Sequence, residues 1–341
     1  MKWCSRCIMN ESALISFERG ICNYCYDWVK EEKKRRIEKT NLSWRIFEIK
    51  KGKGKYNCLL GLSGGVDSSL CLHYCVEHGL KPFCFSVDNG WNDPKADENI
   101  MRLVEGLKVP FQKIVLDIPE FRAIQESFIK AGLSNVEVVT DHVIRALSYQ
   151  IAAKNGIKWI ISGGNHATEG IMPDEWSFDA NDLKHIKAVY GKPIKKIPVM
   201  SLVQYIYYRF IKRIKKLNLL DYYDYNRTKA IDLLKEKYGY KSYGFKHCES
   251  FFTAWFQNYY LPAKFGYDKR LPHFSTLINS GQITREQAIE ALKLNLDYPD
   301  ITPDLPIVND FLSIPKGKHE DYPNSQKIRN WLSNLYQKCK S

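Results

Sequence analysis

The stretch LLGLSGGVDSSLCLH, residues 59 to 73, sets Ser63-Gly64-Gly65 and Asp67-Ser68-Ser69 between an apolar run and an amphipathic segment. Glycines at the end of a strand let an anion approach the backbone N–H groups that open the next helix, where the helix dipole favours negative charge. Ser63, Ser68 and Ser69 add hydroxyl donors to that cradle. A Walker A loop would close on Lys followed by Ser or Thr, and no such pair is present, so kinase- and GTPase-type loops are excluded. Asp67 stands where a carboxylate should repel phosphate, unless it holds a divalent cation that bridges the two.

Four of the ten cysteines open the chain as Cys4-x-x-Cys7 and Cys22-x-x-Cys25. Two such knuckles supply four thiolates for one tetrahedral ion, expected to be structural Zn²⁺. A closed four-thiolate site leaves no position open to substrate, so folding or docking is its expected work. Cys58, Cys71, Cys75 and Cys84 fall near the glycine-rich loop, and the helical spacing of Cys71 and Cys75 reads as packing.

The elements that must position these residues follow from periodicity. Residues 27–55 form a charged, helical connector whose EEKKRR run reads as a solvated helix face. From Tyr56 short apolar strands alternate with amphipathic helices. YNCLLGL, KPFCFSVDNG, FQKIVLD and IKWIISGGN read as strands, and SSLCLHYCVEHG, ENIMRLVEGLKV and DHVIRALSYQIAAKNG as helices. The last of these places Val143, Ile144, Leu147 and Ile151 on one face. Such alternation predicts an α/β fold, a doubly wound parallel sheet whose ligands bind beyond the carboxyl ends of the strands. YIYYRFIKRIKKL, residues 205 to 217, is expected to be a basic amphipathic helix, and ITREQAIEALK a helix capped by Thr284 and Gln287. The expected organisation is a Cys4 zinc module at 1–30, a basic helical connector at 31–55, a nucleotide-binding domain at 56–200 and a mainly helical region at 201–341.

Lys and Arg outnumber Asp and Glu by 51 to 38, a formal net charge of +13. That excess suits phosphorylated or polyanionic ligands, and a lysine-rich soluble surface explains it equally well. No apolar stretch is long enough to span a membrane. The start, MKWCSRCIMN, lacks the apolar core of a secretory signal, so the expected location is the cytoplasm.

SGGVDSS resembles the pyrophosphate-binding loop of the N-type ATP pyrophosphatases (the PP-loop superfamily), which includes GMP synthetase, NAD synthetase, asparagine synthetase and tRNA-thiolating enzymes. SGGNHATEG, Ser162 to Gly170, resembles the second nucleotide-site loop of that superfamily. The resemblance implies an adenine nucleotide alpha hydrolase-like fold that binds ATP through Ser63, Gly64, Gly65, Val66, Asp67, Ser68, Ser69, Gly164, Asn165 and Thr168. It implies Mg²⁺ shared by Asp67 and Glu169, and Asp88 of SVDNG at the adenosine, although that segment also reads as an ordinary strand-ending turn.

The aromatic and charged run from Lys246 to Arg270, together with the cysteine start, resembles the N-acetyl sugar amidotransferases of bacterial surface-polysaccharide pathways, over roughly residues 1–300. That family turns the acetamido group of a nucleotide-linked sugar into an acetamidino group with ATP and ammonia. The resemblance implies ammonia from a separate glutaminase with a cyclase-like channelling partner, and no nucleic-acid partner. Lys269 and Arg270 are the catalytic candidates in the run, and His247, Cys248, Glu249, Tyr267 and Asp268 the substrate-binding ones. Phe251, Phe252, Trp255, Phe256 and Tyr259 recur at helical spacing and read as core. The rival reading is a tRNA-thiolating enzyme, which shares the loop and the basic charge but needs a sulfur-carrying cysteine pair or an iron–sulfur cluster.

Overall fold

The structure, a computed structural model, describes residues 2–13, 15–173, 176, 182–242, 249–293 and 303–323. An antiparallel hairpin of β1 (Phe17–Glu18) and β2 (Ile21–Cys22) leads directly into α1 (Asn23–Lys39), and α2 (Leu42–Lys50) follows. The charged connector is thus two helices, the first of which runs through residue 30 without a break.

Five apolar segments form one parallel sheet in the order β5-β4-β3-β6-β7: β3 (Cys58–Gly61), β4 (Pro82–Asp88), β5 (Phe111–Val115), β6 (Trp159–Ser162) and β7 (Lys215–Asn218). Near-continuous apolar runs suit strands covered on both faces. Leu59 of β3 packs into one core and its neighbours Cys58 and Leu60 into another, the two-residue alternation that a doubly covered strand requires. α3 (Val66–Glu77) leaves β3 and α4 (Pro94–Gly106) links β4 to β5. α5 (Ile118–Lys130) and α6 (Val138–Lys154) lie between β5 and β6. α7 (His166–Glu169), α8 (Leu183–Tyr190) and α9 (Leu202–Ile206) precede β7. Beyond it come α10 (Arg227–Tyr238), α11 (Phe251–Trp255), α12 (Leu261–Phe265), α13 (Arg270–Asn279) and α14 (Arg285–Lys293). α2, α3, α4 and α10 cover one face of the sheet, and α5, α6, α8 and α11 the other.

β3 pairs with β4 on one side and β6 on the other, so the chain runs outward to β5 and then returns across β3. The carboxyl ends of β3 and β6 therefore flank the topological switch point, where open α/β sheets bind ligands. Both glycine-bearing loops open there.

Three sequence expectations change. Residues 205–217 are not one helix: α9 passes into a π-helical turn at Tyr207–Ile211, Arg213 adopts a left-handed φ of 53°, and Lys215–Asn218 becomes the fifth strand. Ile214 and Leu217 are buried in opposite cores, which a strand pleat achieves and which an i, i+3 helical reading mistook for one face. Exposed Lys215 and Lys216 mark this as an edge strand. Ile144 is exposed at the edge of a cavity that Val143 also lines, whereas Val143 and Leu147 are buried in the core. The aromatic run behaves as core at Phe252, Trp255 and Phe256, whereas Tyr259 is exposed. Thr284 and Gln287 do form the expected reciprocal cap, at 3.2 and 2.8 Å. Among the described residues no helix is long and apolar enough to cross a membrane.

Gly64 holds the loop after β3 in a conformation other residues resist, with φ +79° and room for a Cβ only 2.3 Å from the Ala96 carbonyl oxygen. Gly64→Ala is expected to destabilise the protein by about 1–3 kcal/mol, read from its urea unfolding midpoint. An unchanged midpoint would show that α4 does not restrain the loop.

Candidate active site

The loop after β3 is built by its own hydroxyls. The Gly65 N–H donates to Ser63 Oγ at 3.2 Å, the Ser63 N–H to Ser68 Oγ at 3.3 Å, and Ser68 Oγ to the Gly65 carbonyl at 3.2 Å. These bonds curl the chain into the first turn of α3 while leaving Ser63 exposed to solvent. Ser69 is buried beneath the loop and Gly64 against α4, so both shape the cradle from behind.

The loop after β6 closes onto it. A Cβ on Gly163 would lie 3.0 Å from the Ser68 nitrogen, so a side chain there would press the two loops apart by a few tenths of an ångström. Asn165 then ties the two carboxylates of the site together. Its Nδ2 donates to Asp67 at 3.4 Å, and its N–H to Glu169 Oε2 at 3.3 Å. The Thr168 N–H and hydroxyl both donate to Asn165 Oδ1, at 2.9 and 3.0 Å, which fixes the amide's orientation. Thr168 thus acts through Asn165. Asp67 also accepts a hydrogen bond from Tyr225, whose phenol is pushed well up by burial and by the Asp67 charge and so stays the donor.

Asp67, Ser68, Gly164 and Glu169 line a cavity of about 230 Å³, with Arg227 from the start of α10 on its wall. Hard carboxylate oxygens on both sides, backbone N–H groups below and a guanidinium nearby form a donor set that fits a divalent cation and a chain of phosphates. The cavity continues past Gly61, Ser63 and Glu249 into a larger one of about 420 Å³. Ser86, Val87 and Asn89, at the end of β4, line this second space. Asp88 does not: its carboxylate pairs with Lys113 at 2.9 Å. Despite burial, that contact and the Gly90 N–H hold it below the ordinary carboxylate range.

Lys269, a catalytic candidate, and Glu249, a substrate-binding one, both line the large cavity, where they meet Glu137, Asp141 and Thr253, which the sequence did not single out. Glu137 accepts a hydrogen bond from the Thr253 hydroxyl at 2.5 Å, yet burial pushes its carboxyl up to about 8. Burial likewise brings the Lys269 ammonium down to about 8, against the pull of Glu137 and Asp141. Arg270 and Asp268, expected at the substrate, instead form a two-pronged ion pair with each other at 2.7 and 2.9 Å and line neither cavity. Tyr267 stacks on Trp176 at 5.1 Å between ring centroids. His247 and Cys248 lie outside the described residues. Arg227, Tyr225 and Glu137 have no motif around them, so nothing in their local sequence marks them out.

The cysteine module stands beside this site. Cys4, Cys7, Cys22 and Cys25 are buried, with their sulfurs within 4.8 Å of one another. The Cys4–Cys25 and Cys7–Cys22 separations of 3.9 and 3.7 Å match the edge of a Zn–S tetrahedron, about 3.8 Å for bonds near 2.3 Å. N–H groups of Cys7, Met9 and Cys22 and the Asn279 amide point at the sulfurs from 3.3 to 3.4 Å, a second shell suited to thiolates. The donor set therefore fits one tetrahedral metal ion. From the module, α1 reaches the site: Arg35 binds Asp221, which accepts the His166 N–H at 2.7 Å, and Trp28 stacks on His166 at 4.9 Å. Lys34 and Arg35, in the run expected to be a plain solvated face, and Lys30 just before it line a further opening that shares Gly164 and Glu169 with the phosphate-loop cavity.

Residues 249–336 match the family model of the LPS biosynthesis protein WbpG-like, C-terminal domain. An uncharacterized protein of Methanocaldococcus jannaschii is 29% identical over 169 residues, 47% of this chain and 58% of its own, so the chain spans little more than half the length of this curated relative. Among solved structures the chain is similar to an NH3-dependent NAD synthetase from Campylobacter jejuni, with 22% identity, a TM-score of 0.31, and 42% of this chain and 60% of that one covered. It is also similar to an NMN synthetase from Francisella tularensis, with 15% identity, a TM-score of 0.33 and coverage of 66% and 92%. The U34-tRNA thiolase NcsA from Methanococcus maripaludis gives 13% identity, a TM-score of 0.34 and coverage of 92% and 96%.

The cysteine geometry makes one prediction. Purified protein should carry about one tightly held metal ion per chain, and Cys22→Ser should lose it and lower the melting temperature by about 5 °C or more. Unchanged metal content and melting would remove the cluster from metal binding.

Proposed function

We propose that this chain is an ATP-dependent, AMP-forming amidotransferase acting on a nucleotide-linked N-acetyl sugar in lipopolysaccharide (O-antigen) or related surface-glycan biosynthesis. The observation that carries the reading is the phosphate-loop cavity bounded by Asp67 and Glu169 and opening at Gly61 and Ser63 into a second, substrate-sized cavity. The match of residues 249–336 to an LPS biosynthesis domain supports the sugar as acceptor, because Glu249, Thr253 and Lys269 of that region line the second cavity.

The chemistry suits the geometry. An amide oxygen is a poor leaving group, so ammonia displaces it only after activation. The acetamido oxygen attacks the α-phosphorus of ATP, the bond to pyrophosphate breaks, and the oxygen is carried as AMP. Ammonia then adds to the carbon, AMP leaves with the oxygen, and an acetamidino group remains. Backbone N–H groups of the Ser63–Ser68 loop and Arg227 stabilise the charge that develops on the leaving pyrophosphate. Mg²⁺ held by Asp67 and Glu169 would supply charge neutralisation there, and Tyr225 and Asn165 keep the Asp67 carboxylate aimed at the cavity. Zn²⁺ in the four-cysteine cluster would serve the fold. Ammonia would come from a separate glutaminase through a channelling partner, with no nucleic acid involved.

Sulfur transfer to tRNA needs a reactive thiolate or a cluster in the nucleotide-binding unit. Cys58, Cys71, Cys75 and Cys84 are all buried, and burial pushes the Cys71 and Cys84 thiols up, away from reactivity.

The test is to incubate the protein with ATP, Mg²⁺, ammonium and UDP- or CMP-linked acetamido sugars. The expected result is AMP together with a sugar lighter by the difference between O and NH. Asp67→Asn should reduce AMP formation by about 10²–10³-fold without unfolding the protein. AMP that appears only with tRNA and a sulfur donor would overturn the reading.

A further inference from the structure

Ammonia is an ammonium ion at neutral pH, and the attacking nitrogen must shed protons before an amidine can form. The site therefore needs a proton acceptor on the side of the acceptor carbon away from the phosphates. The large cavity has acidic groups of its own, apart from Asp67 and Glu169 of the phosphate-loop cavity. Its walls bring Glu137 just ahead of α6, Asp141 within α6 and Glu249 ahead of α11 against one cation, Lys269, at the foot of α13, among the described residues. Acidic groups in excess over one ammonium favour a small cation such as ammonium.

The cavity also has groups awaiting a ligand. Ser86, only 3% exposed, lines it, and its hydroxyl has no hydrogen-bond partner among the described residues. Thr140 Oγ1, on α6 beside Asp141, is buried in the same wall and likewise unsatisfied. Buried hydroxyls without partners are costly, and a bound molecule with polar groups relieves that cost.

Resting on the amidotransferase reading, we propose that Glu137 is the catalytic base that takes the proton from the attacking ammonia, held in place by the Thr253 hydroxyl. Glu137 caps the start of α6, its backbone N–H bonded to Asn135 Oδ1 at 3.1 Å and its carboxylate to the Thr253 hydroxyl at 2.5 Å, so backbone and side chain are each held by a hydrogen bond. As the C–N bond forms, one proton of the NH₃⁺ group passes to Glu137. The C–O bond then breaks, AMP leaves with the electron pair and the former amide oxygen, and the amidinium keeps the positive charge. Asp141 and Glu249 raise the proton affinity of Glu137 and Lys269 lowers it, beside the larger effect of burial. The balance leaves a carboxylate whose proton affinity suits transfer near neutral pH.

The experiment separates the two half-reactions. Sugar-dependent ATP–pyrophosphate exchange reports adenylation and needs no ammonia. In Glu137→Gln this exchange should stay within about threefold of wild type, whereas ammonium-dependent amidine formation should fall by about 10²–10⁴-fold. Hydroxylamine, already neutral at pH 7, should restore AMP release to within about tenfold of the wild-type rate with the same nucleophile. Thr253→Val, which keeps the shape, should lower amidine formation more than exchange, and it serves as the readout if Glu137→Gln fails to fold. Equal loss of exchange and amidine formation, or no loss of either, would overturn the assignment. Absence of sugar-dependent exchange in the wild type would instead overturn the amidotransferase reading itself.

Discussion

The site depends on one steric constraint, the close approach of the loops that follow β3 and β6. The parallel register sets Leu59 beside Ile160 and Leu60 beside Ile161, so both strands finish at the same level and their loops must share one space. Gly163 eases the conflict, because a side chain there would crowd the backbone at Asp67 and Ser68 and push the loops apart. Asn165 can then reach Asp67 across 98 residues of sequence and hold Glu169 on the same cavity wall. Widening this contact would separate the two carboxylates and dissolve the donor set for cation and phosphate. The sheet topology is thus a condition for the chemistry as well as a scaffold.

A second brace comes from outside the sheet. Trp28 and Arg35 of α1 grip His166 and Asp221, the residues flanking the second loop and the exit of β7. α1 grows directly from the Cys22–Cys25 knuckle, and the same module seats on α13 and α14, where the Ile8 N–H reaches Ser275 and Arg285 reaches the Cys7 carbonyl. Lys269 precedes α13 by one residue. A cluster with no coordination position for substrate therefore still reaches both walls of the site, by fixing the helices that carry them.

How much of this could be read from the sequence follows from how local each signal is. The two glycine-bearing loops, the four strands ahead of them and around them, and the CxxC pairs are written in contiguous residues whose chemistry is explicit. β7 was hidden because Ile214 and Leu217, three apart, satisfy a helical stripe as readily as a pleat, and only the left-handed turn at Arg213 decides between them. Arg270 and Asp268 looked like ligand groups because a charged triplet does not reveal that two of its members satisfy each other. Glu137, Tyr225 and Arg227 gain their roles only from the residues that the fold sets opposite them, and no local pattern carries that information.

On the amidotransferase reading, the two adjoining cavities would order the reaction in space. Arg227 and the loop amides lie at one end, and Glu137, Asp141 and Lys269 at the other. A nucleotide bound with its phosphates on the loop would place the α-phosphorus near the junction of Gly61, Ser63 and Glu249, the only residues that line both spaces among those described. An acceptor entering the larger cavity would meet it there with pyrophosphate already pointing away. In-line displacement would expel pyrophosphate toward the Glu169 side, where the opening lined by Lys30, Lys34 and Arg35 begins. The nitrogen nucleophile would approach from the Glu137 side. The two ends of the site would thereby keep the departure of the anion apart from the arrival of ammonia.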